Sequence, residues 1–113
     1  YEIMQTRYMG EPAPEANSLL AFFDVGPGLQ LELIQPNEAP STWRNYLNEH
    51  GEGIHHVAFN IQGMNMAEAV KRCEDFGMTE EQKGEYGDAS GRYVYMNAYK
   101  DLKCIIELLE NDK

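Results

Sequence analysis

The 113-residue sequence predicts an α+β fold of two paired βαβββ modules, whose strands form a cup-shaped half-barrel sheet. Three observations support this. The segments 29–35 and 104–110 are both aliphatic strands with a central glutamate, and they lie 75 residues apart. The strands before them match at the same offset without a gap. Residues 53–109 show the complete order strand, helix, strand, strand, strand, so the first module lacks its opening strand and helix.

Length and hydrophobic content together indicate one domain. A chain of 113 residues that is 42% hydrophobic can bury a single core. We assign residues 1–36 to the last three strands of the first module and residues 37–52 to a linker that contains a helix. Residues 53–113 form the complete second module.

Charge and composition exclude several classes of partner. A formal net charge of −10 repels phosphate backbones, so we expect neither a nucleic acid nor a membrane partner. The sequence contains no apolar run long enough to span a bilayer and no secretory leader, and we expect a cytoplasmic protein. Cys73 and Cys104 lie far apart in apolar segments, which favours two buried, reduced thiols.

The first unit reads as three strands. A strand over Tyr1–Met9 ends at the proline-rich turn 10–14, where proline removes the backbone donors that a sheet needs. Strands over 18–24 and 29–34 flank Gly26-Pro27-Gly28 and predict a hairpin. On the second strand, Glu32 shares a face with two other side chains, and the leucines point the other way.

The linker predicts one short helix. Ser41 is a suitable N-cap for a helix over Thr42–Glu49, and His50-Gly51 marks its end. The apolar side of this helix consists of Trp43, Tyr46 and Leu47.

The second module opens with a strand over Gly53–Ile61 that carries two adjacent histidines. Side chains alternate along a strand, so His56 lies on the face with small and polar groups, where a pocket can form. His55 falls on the opposite, bulky face with Val57 and Phe59. That face is expected to pack against a helix.

A helix and three strands complete the second module. Asn65 and Glu68 predict a capping arrangement that opens a helix reaching Phe76, and Gly77 suits the C-cap. Its apolar stripe comprises Met66, Ala69, Val70, Cys73 and Phe76. Strands are predicted over 78–85, 92–97 and 104–109.

Glutamates in the middle of two aliphatic strands point to metal chemistry. An ionised carboxylate is costly to bury unless a metal or an opposite charge satisfies it. Glu32, Glu107 and His56 together supply oxygen and nitrogen ligands for a divalent ion. The alternative is that both glutamates face solvent on the open side of a sheet.

These features resemble the vicinal oxygen chelate superfamily. The resemblance rests on Ile54-His55-His56-Val57-Ala58-Phe59, on the two glutamate-centred strands, and on the duplicated unit. In its glyoxalase I (lactoylglutathione lyase) and methylmalonyl-CoA epimerase branches it implies a divalent ion, nickel, cobalt, zinc or manganese, at Glu32, His56 and Glu107. A fourth ligand would come from the first strand of the first module, which is not in this sequence.

The resemblance also implies an activity. Glu107 would act as metal ligand and base in a glyoxalase I-type lyase or isomerase, which moves a proton beside a carbonyl through a metal-stabilised enediolate. The substrate would be a small thioester or hemithioacetal-like molecule. One alternative is a methylmalonyl-CoA epimerase-like enzyme, whose second acid–base group aligns with Ala21. Another is a metal-free binding or resistance protein of the same fold. Analogy with the superfamily implies a homodimer.

Overall fold

A computed structural model describes residues 3–112, which form eight strands and three helices. The predicted start of the first strand at Tyr1 lies outside the described residues. The elements are β1 Ile3–Tyr8, β2 Glu11–Pro12, β3 Ser18–Gly26, β4 Leu29–Pro36, α1 Thr42–His50, β5 His56–Asn60, α2 Met66–Asp75, β6 Thr79–Tyr86, β7 Gly91–Asn97, α3 Tyr99–Leu102 and β8 Ile105–Asn111. None of the described helices has the length and apolar character needed to cross a bilayer.

The strands form one large and one small sheet. The large sheet has the order β2-β1-β6-β7-β8-β5, and the small sheet is the β3–β4 hairpin. Strand β5 runs parallel to β8, and the other neighbours in the large sheet are antiparallel. The predicted α+β class and the strand order of residues 53–109 are therefore confirmed. The division of the chain into two modules stays a prediction.

The three strands of the first unit are divided between the two sheets. Strand β1 pairs with β6, with Met4 opposite Glu85, rather than with β3 of its own unit. The turn predicted at 10–14 also contains the two-residue strand β2, in which Pro12 pairs with Arg7. Proline is tolerated there because β2 is an edge strand.

Helix α2 covers the outer face of β7 and β8. The buried residues of this layer are Ala69, Val94, Met96, Ala98, Ile106 and Leu108. Cys73 and Cys104 border this core as free, half-buried thiols, and burial raises the pKa of Cys73. Phe76 was predicted on the buried stripe, and this is wrong, because the helix ends at Asp75 and the Phe76 side chain is 77% exposed.

The start of α2 contains the predicted capping box. The Asn65 side chain accepts a hydrogen bond from the Glu68 backbone amide at 2.9 Å, and the Glu68 carboxylate accepts one from the Asn65 amide at 3.3 Å. Asn65→Ala is expected to lower the free energy of unfolding by about 1 kcal/mol in chemical denaturation. The control, Asn48→Ala in α1, removes an asparagine that caps no helix. A loss as large in the control would contradict the capping role.

The outer face of the β3–β4 hairpin is exposed, although its aliphatic pattern is the same as that of a buried face in the second module. Leu31 and Leu33 are 49% and 53% exposed, whereas Ile106 and Leu108, 75 residues later, are 9% and 7% exposed. The difference arises because α2 covers the second pair, and no helix of residues 3–112 covers the first. The same side-chain pattern thus forms core in one hairpin and surface in the other.

Strand β5 is the edge of the large sheet, and its bulky face is only partly covered. Val57 and Phe59 are 45% and 56% exposed, so the expectation that this face packs against a helix is wrong for both residues. Helix α2 lies over β6, β7 and β8 and does not extend across the edge strand. Ile61, just after β5, does pack against the core under α2.

Helix α1 packs on the inner face of the large sheet. Ser41 caps it as predicted, accepting a hydrogen bond from the Arg44 amide at 2.9 Å. The buried ring of Trp43 lies against Tyr93 and Tyr95, and its Nε1–H donates to the Tyr95 hydroxyl at 2.9 Å. This bond joins α1 to β7.

Substitutions can measure how much the hydrogen bond between Trp43 and Tyr95 contributes to the free energy of unfolding. Trp43→Phe is expected to lower the free energy of unfolding by about 1–2 kcal/mol, because a buried hydroxyl loses its partner. Denaturant unfolding of Trp43→Phe, Tyr95→Phe and the double variant isolates the interaction, and the two losses should not add. Strictly additive losses would show that packing alone stabilises α1 here.

Candidate metal centre

The three predicted ligands lie together. Glu32 comes from β4, His56 from β5 and Glu107 from β8, and one ligand atom of each lies within 4.8 Å of the others. The Nε2 atom of His56 is 3.1 Å from Oε1 of Glu107 and 3.3 Å from Oε1 of Glu32. The imidazole therefore lies between two carboxylates.

The sheet register explains this placement. In the parallel β5–β8 pair, Ala58 lies opposite Glu107, and His56 lies two residues earlier on the same face. Glu107 and His56 are thus diagonal neighbours on the inner face of the large sheet. Glu32 belongs to the separate hairpin and approaches from the small sheet. The centre therefore lies between the two sheets.

The ionisation of the three groups is coupled. Burial alone would lower the pKa of His56, but its hydrogen bonds and charge interactions with Glu107 and Glu32 outweigh burial and raise that pKa to about 9. For Glu107, burial raises the pKa, and the hydrogen bond and charge of His56 oppose this shift. At neutral pH the imidazole keeps its proton between the carboxylates. A divalent cation would take the place of that proton.

The donor set fits a divalent metal. One imidazole nitrogen and two carboxylate oxygens are ligands that zinc, cobalt, nickel and manganese accept. The side chain of Glu107 is 11% exposed and that of Glu32 is 22% exposed, so both carboxylates are largely withdrawn from water. His56 is the only ion-pair partner of either carboxylate among residues 3–112.

His55 does not lie where strand alternation predicted. It was predicted on the bulky face opposite His56, which is wrong, because β5 begins at His56 and His55 precedes the regular alternation. Its Nδ1 atom lies 2.9 Å from Nδ1 of His56, and its ring packs on Tyr95 with centroids 5.1 Å apart. Burial and the neighbouring His56 lower the pKa of His55 to about 3. Gly51 and Gly53, just before the strand, were the signal that the chain is irregular here.

Tyr95 is a second residue that sequence reasoning did not place at the centre. Its buried ring lies 5.1 Å from those of both histidines, and burial, followed by the charge of Glu107, raises its pKa well above the usual value. Tyr95 is therefore a neutral wall of the site. Arg92, a neighbouring basic residue on β7, pairs with Glu110 and Asp112 and contributes no charge to the Glu-His-Glu cluster.

An α+β chain with a duplicated strand pattern and a Glu-His-Glu cluster between its sheets has the features of the vicinal oxygen chelate class. The chain belongs to the Glyoxalase/Bleomycin resistance protein/Dioxygenase superfamily, whose family model matches residues 4–96. The matched residues include Glu32 and His56 and end before Glu107.

Solved structures share this fold. A methylmalonyl-CoA epimerase in complex with methylmalonyl-CoA and NH4+ is 20% identical with a TM-score of 0.58, covering 85% of this chain and 68% of its own. A variant of Streptomyces coelicolor methylmalonyl-CoA epimerase with 2-nitronate-propionyl-CoA is 19% identical with a TM-score of 0.58, covering 87% and 71% respectively. No curated protein matches the chain.

Proposed function

We propose that the protein is a metal-dependent lyase or isomerase of the glyoxalase I type, which transfers a proton beside a carbonyl of a small molecule. Glu32, His56 and Glu107 would be the metal ligands, and Glu107 would also be the base. The observation that carries this proposal is the convergence of one buried and one half-buried carboxylate on one imidazole nitrogen, at 3.1 and 3.3 Å. The substrate would be a thioester or a hemithioacetal-like compound.

The residues of the centre suit such a reaction. Burial raises the pKa of Glu107, which makes this carboxylate a stronger base than an exposed one. It would take the proton from the carbon beside the carbonyl and return it to the product. His56 and Glu32 would hold the site in place, and Tyr95 would exclude water from one side. A divalent ion bound there would supply Lewis-acid polarisation of the substrate carbonyl.

Metal content tests the proposal directly. Elemental analysis after purification without chelator is expected to find near-stoichiometric metal in the wild type and little in Glu32→Ala or Glu107→Ala. Glu110→Ala is the matched control, because Glu110 also lies on β8 but pairs with Arg92 outside the centre. Metal-loaded protein should then be assayed with hemithioacetals and acyl-CoA esters. A wild type without metal, even after reconstitution, would exclude this mechanism.

An epimerase acting on a CoA thioester is the second candidate, favoured by the likeness to methylmalonyl-CoA epimerases. Epimerisation needs a second acid–base group on the opposite side of the substrate carbon. The residue aligned with that group, Ala21, pairs with Leu33 on the outer face of the hairpin. On the face of Glu32, β3 places Phe22 and Asp24, so Asp24 is the carboxylate that this strand offers.

Isotope exchange separates the two candidates. In D2O, an epimerase would incorporate deuterium beside the thioester carbonyl and invert its configuration. Asp24→Asn would then stop inversion while exchange through Glu107 continues. Turnover of a hemithioacetal without inversion of an acyl-CoA ester would favour the glyoxalase type. Ligand binding with neither metal nor turnover would instead favour a small-molecule binding protein. The homodimer stays a proposal that light scattering can test.

A further inference from the structure

The two adjacent histidines are joined by a hydrogen bond between like atoms. Nδ1 of His55 and Nδ1 of His56 are 2.9 Å apart, and the ring planes are perpendicular. A contact of this length between two imidazole nitrogens requires one proton between them, with one ring as donor and the other as acceptor. The bond therefore makes the tautomers of the two rings depend on each other.

The surroundings of His56 decide which ring donates. Its Nε2 faces the two carboxylates, where it either carries a proton or, with a metal bound, gives its lone pair to the ion. In the first state the two carboxylates, 3.1 and 3.3 Å away, favour the doubly protonated ring, and in the second the remaining proton must be on Nδ1. Nδ1 of His56 is a donor in both states. Nδ1 of His55 must therefore be the acceptor.

His55 is itself held by two other elements. Its ring lies edge-on to Tyr46 of α1 at 5.6 Å and packs on Tyr95 of β7 at 5.1 Å. Its Nε2 is buried without a hydrogen bond of standard geometry, although the backbone of Thr42 favours a proton on the ring. A neutral ring with its proton on Nε2 leaves Nδ1 free to accept. The hydrogen bond from His56 requires this tautomer of His55, and the surroundings of His55 favour the same tautomer.

We propose that His55 is a positioning residue: by accepting the hydrogen bond from Nδ1 of His56, it orients the imidazole so that Nε2 faces Glu32 and Glu107. The role in metal affinity rests on the proposed function, whereas the hydrogen bond itself does not. Outer-shell partners of this kind typically change metal affinity 10- to 100-fold. Helix α1 would then influence the centre through Tyr46 and His55, without contributing a ligand.

Co²⁺ titration of four proteins tests the affinity. His55→Phe keeps an aromatic ring and removes the acceptor, and should weaken Co²⁺ binding about 10- to 100-fold and shift the visible absorption of bound Co²⁺. His55→Asn restores an acceptor near the position of Nδ1 and should recover most of the affinity. His50→Phe is the control and should match the wild type, since His50 lies at the exposed end of α1. Equal affinity in wild type and His55→Phe would overturn the inference.

A metal-free measurement keeps the two proposals separable. In protein labelled with ¹⁵N-histidine, a scalar coupling should be seen across the N–H···N bond, from Nδ1 of His56 to Nδ1 of His55. Its absence in a folded protein would overturn the positioning role. If the wild type shows the coupling but binds no Co²⁺, the proposed metal-dependent function fails and the positioning of His56 stands.

Discussion

Glu107→Gln is expected to lower the affinity for a divalent metal by more than about 100-fold, since losing even an outer-shell partner typically costs 10- to 100-fold. The substitution keeps the size of the side chain and removes the charge of a proposed oxygen ligand 3.1 Å from the imidazole. If the proposed base is also correct, the rate of proton transfer falls by about 10²–10⁴-fold at saturating metal. Competition with a chromogenic chelator measures the affinity.

Two controls show whether the loss of metal affinity in Glu107→Gln comes from the missing carboxylate or from a change in the fold. Glu110→Gln, on the same strand, should keep wild-type affinity because Glu110 pairs with Arg92 instead. The melting temperature of metal-free Glu107→Gln should show that the fold persists. The substitution removes a buried charge, so the variant does not bear the cost of burying a carboxylate that the wild-type protein bears. An unchanged metal affinity in Glu107→Gln would remove Glu107 from the ligand set.

Metal affinity is expected to rise about tenfold per pH unit between pH 7 and 9, a change of about 100-fold in all, because one proton must leave Nε2 of His56. The carboxylates hold the pKa of His56 at about 9 in the metal-free protein, so metal and proton compete up to that pH. Above it, His56 adds no further dependence. Co²⁺ dissociation constants from pH 6.5 to 9.5 in a non-coordinating buffer measure this slope.

The stability of the metal-free protein should change in the opposite direction. The folded pKa of His56 is raised above its ordinary 6.5, so its stabilising effect is fully present below pH 6.5 and is lost as the pH rises through 9. Chemical denaturation across the same pH range gives this second curve. A metal affinity that does not vary between pH 7 and 9 would show that His56 is not the ligand that loses a proton.

The three candidate ligands could be identified because their positions depend on local patterns. Alternation along a strand places Glu32 away from its neighbouring leucines, and the 75-residue repeat relates Glu32 to Glu107. His56 follows from the same alternation in β5. The structure brings the three side chains together, and their roles remain proposals.

The features that were missed depend on long-range contacts or on element boundaries. The pairing of β1 with β6 joins residues about 80 apart, and no local pattern records it. The position of His55 depended on where β5 begins, and element ends are the least certain part of a sequence-based assignment. The exposure of Val57 and Phe59 depends on which strands α2 crosses. Each of these features depends on how the strands and helices assemble and not on the sequence of any one segment.

Because the candidate centre lies between two sheets, a metal bound there would also connect them. Glu32 lies on the small sheet, whereas His56 and Glu107 lie on the large one. An ion held by all three would cross-link the hairpin to the rest of the molecule, so the affinity for the ion and the attachment of the hairpin would be thermodynamically linked. Amide hydrogen exchange over residues 18–36, with and without metal, reads this linkage directly. A bound metal would thus restrain the hairpin against the large sheet.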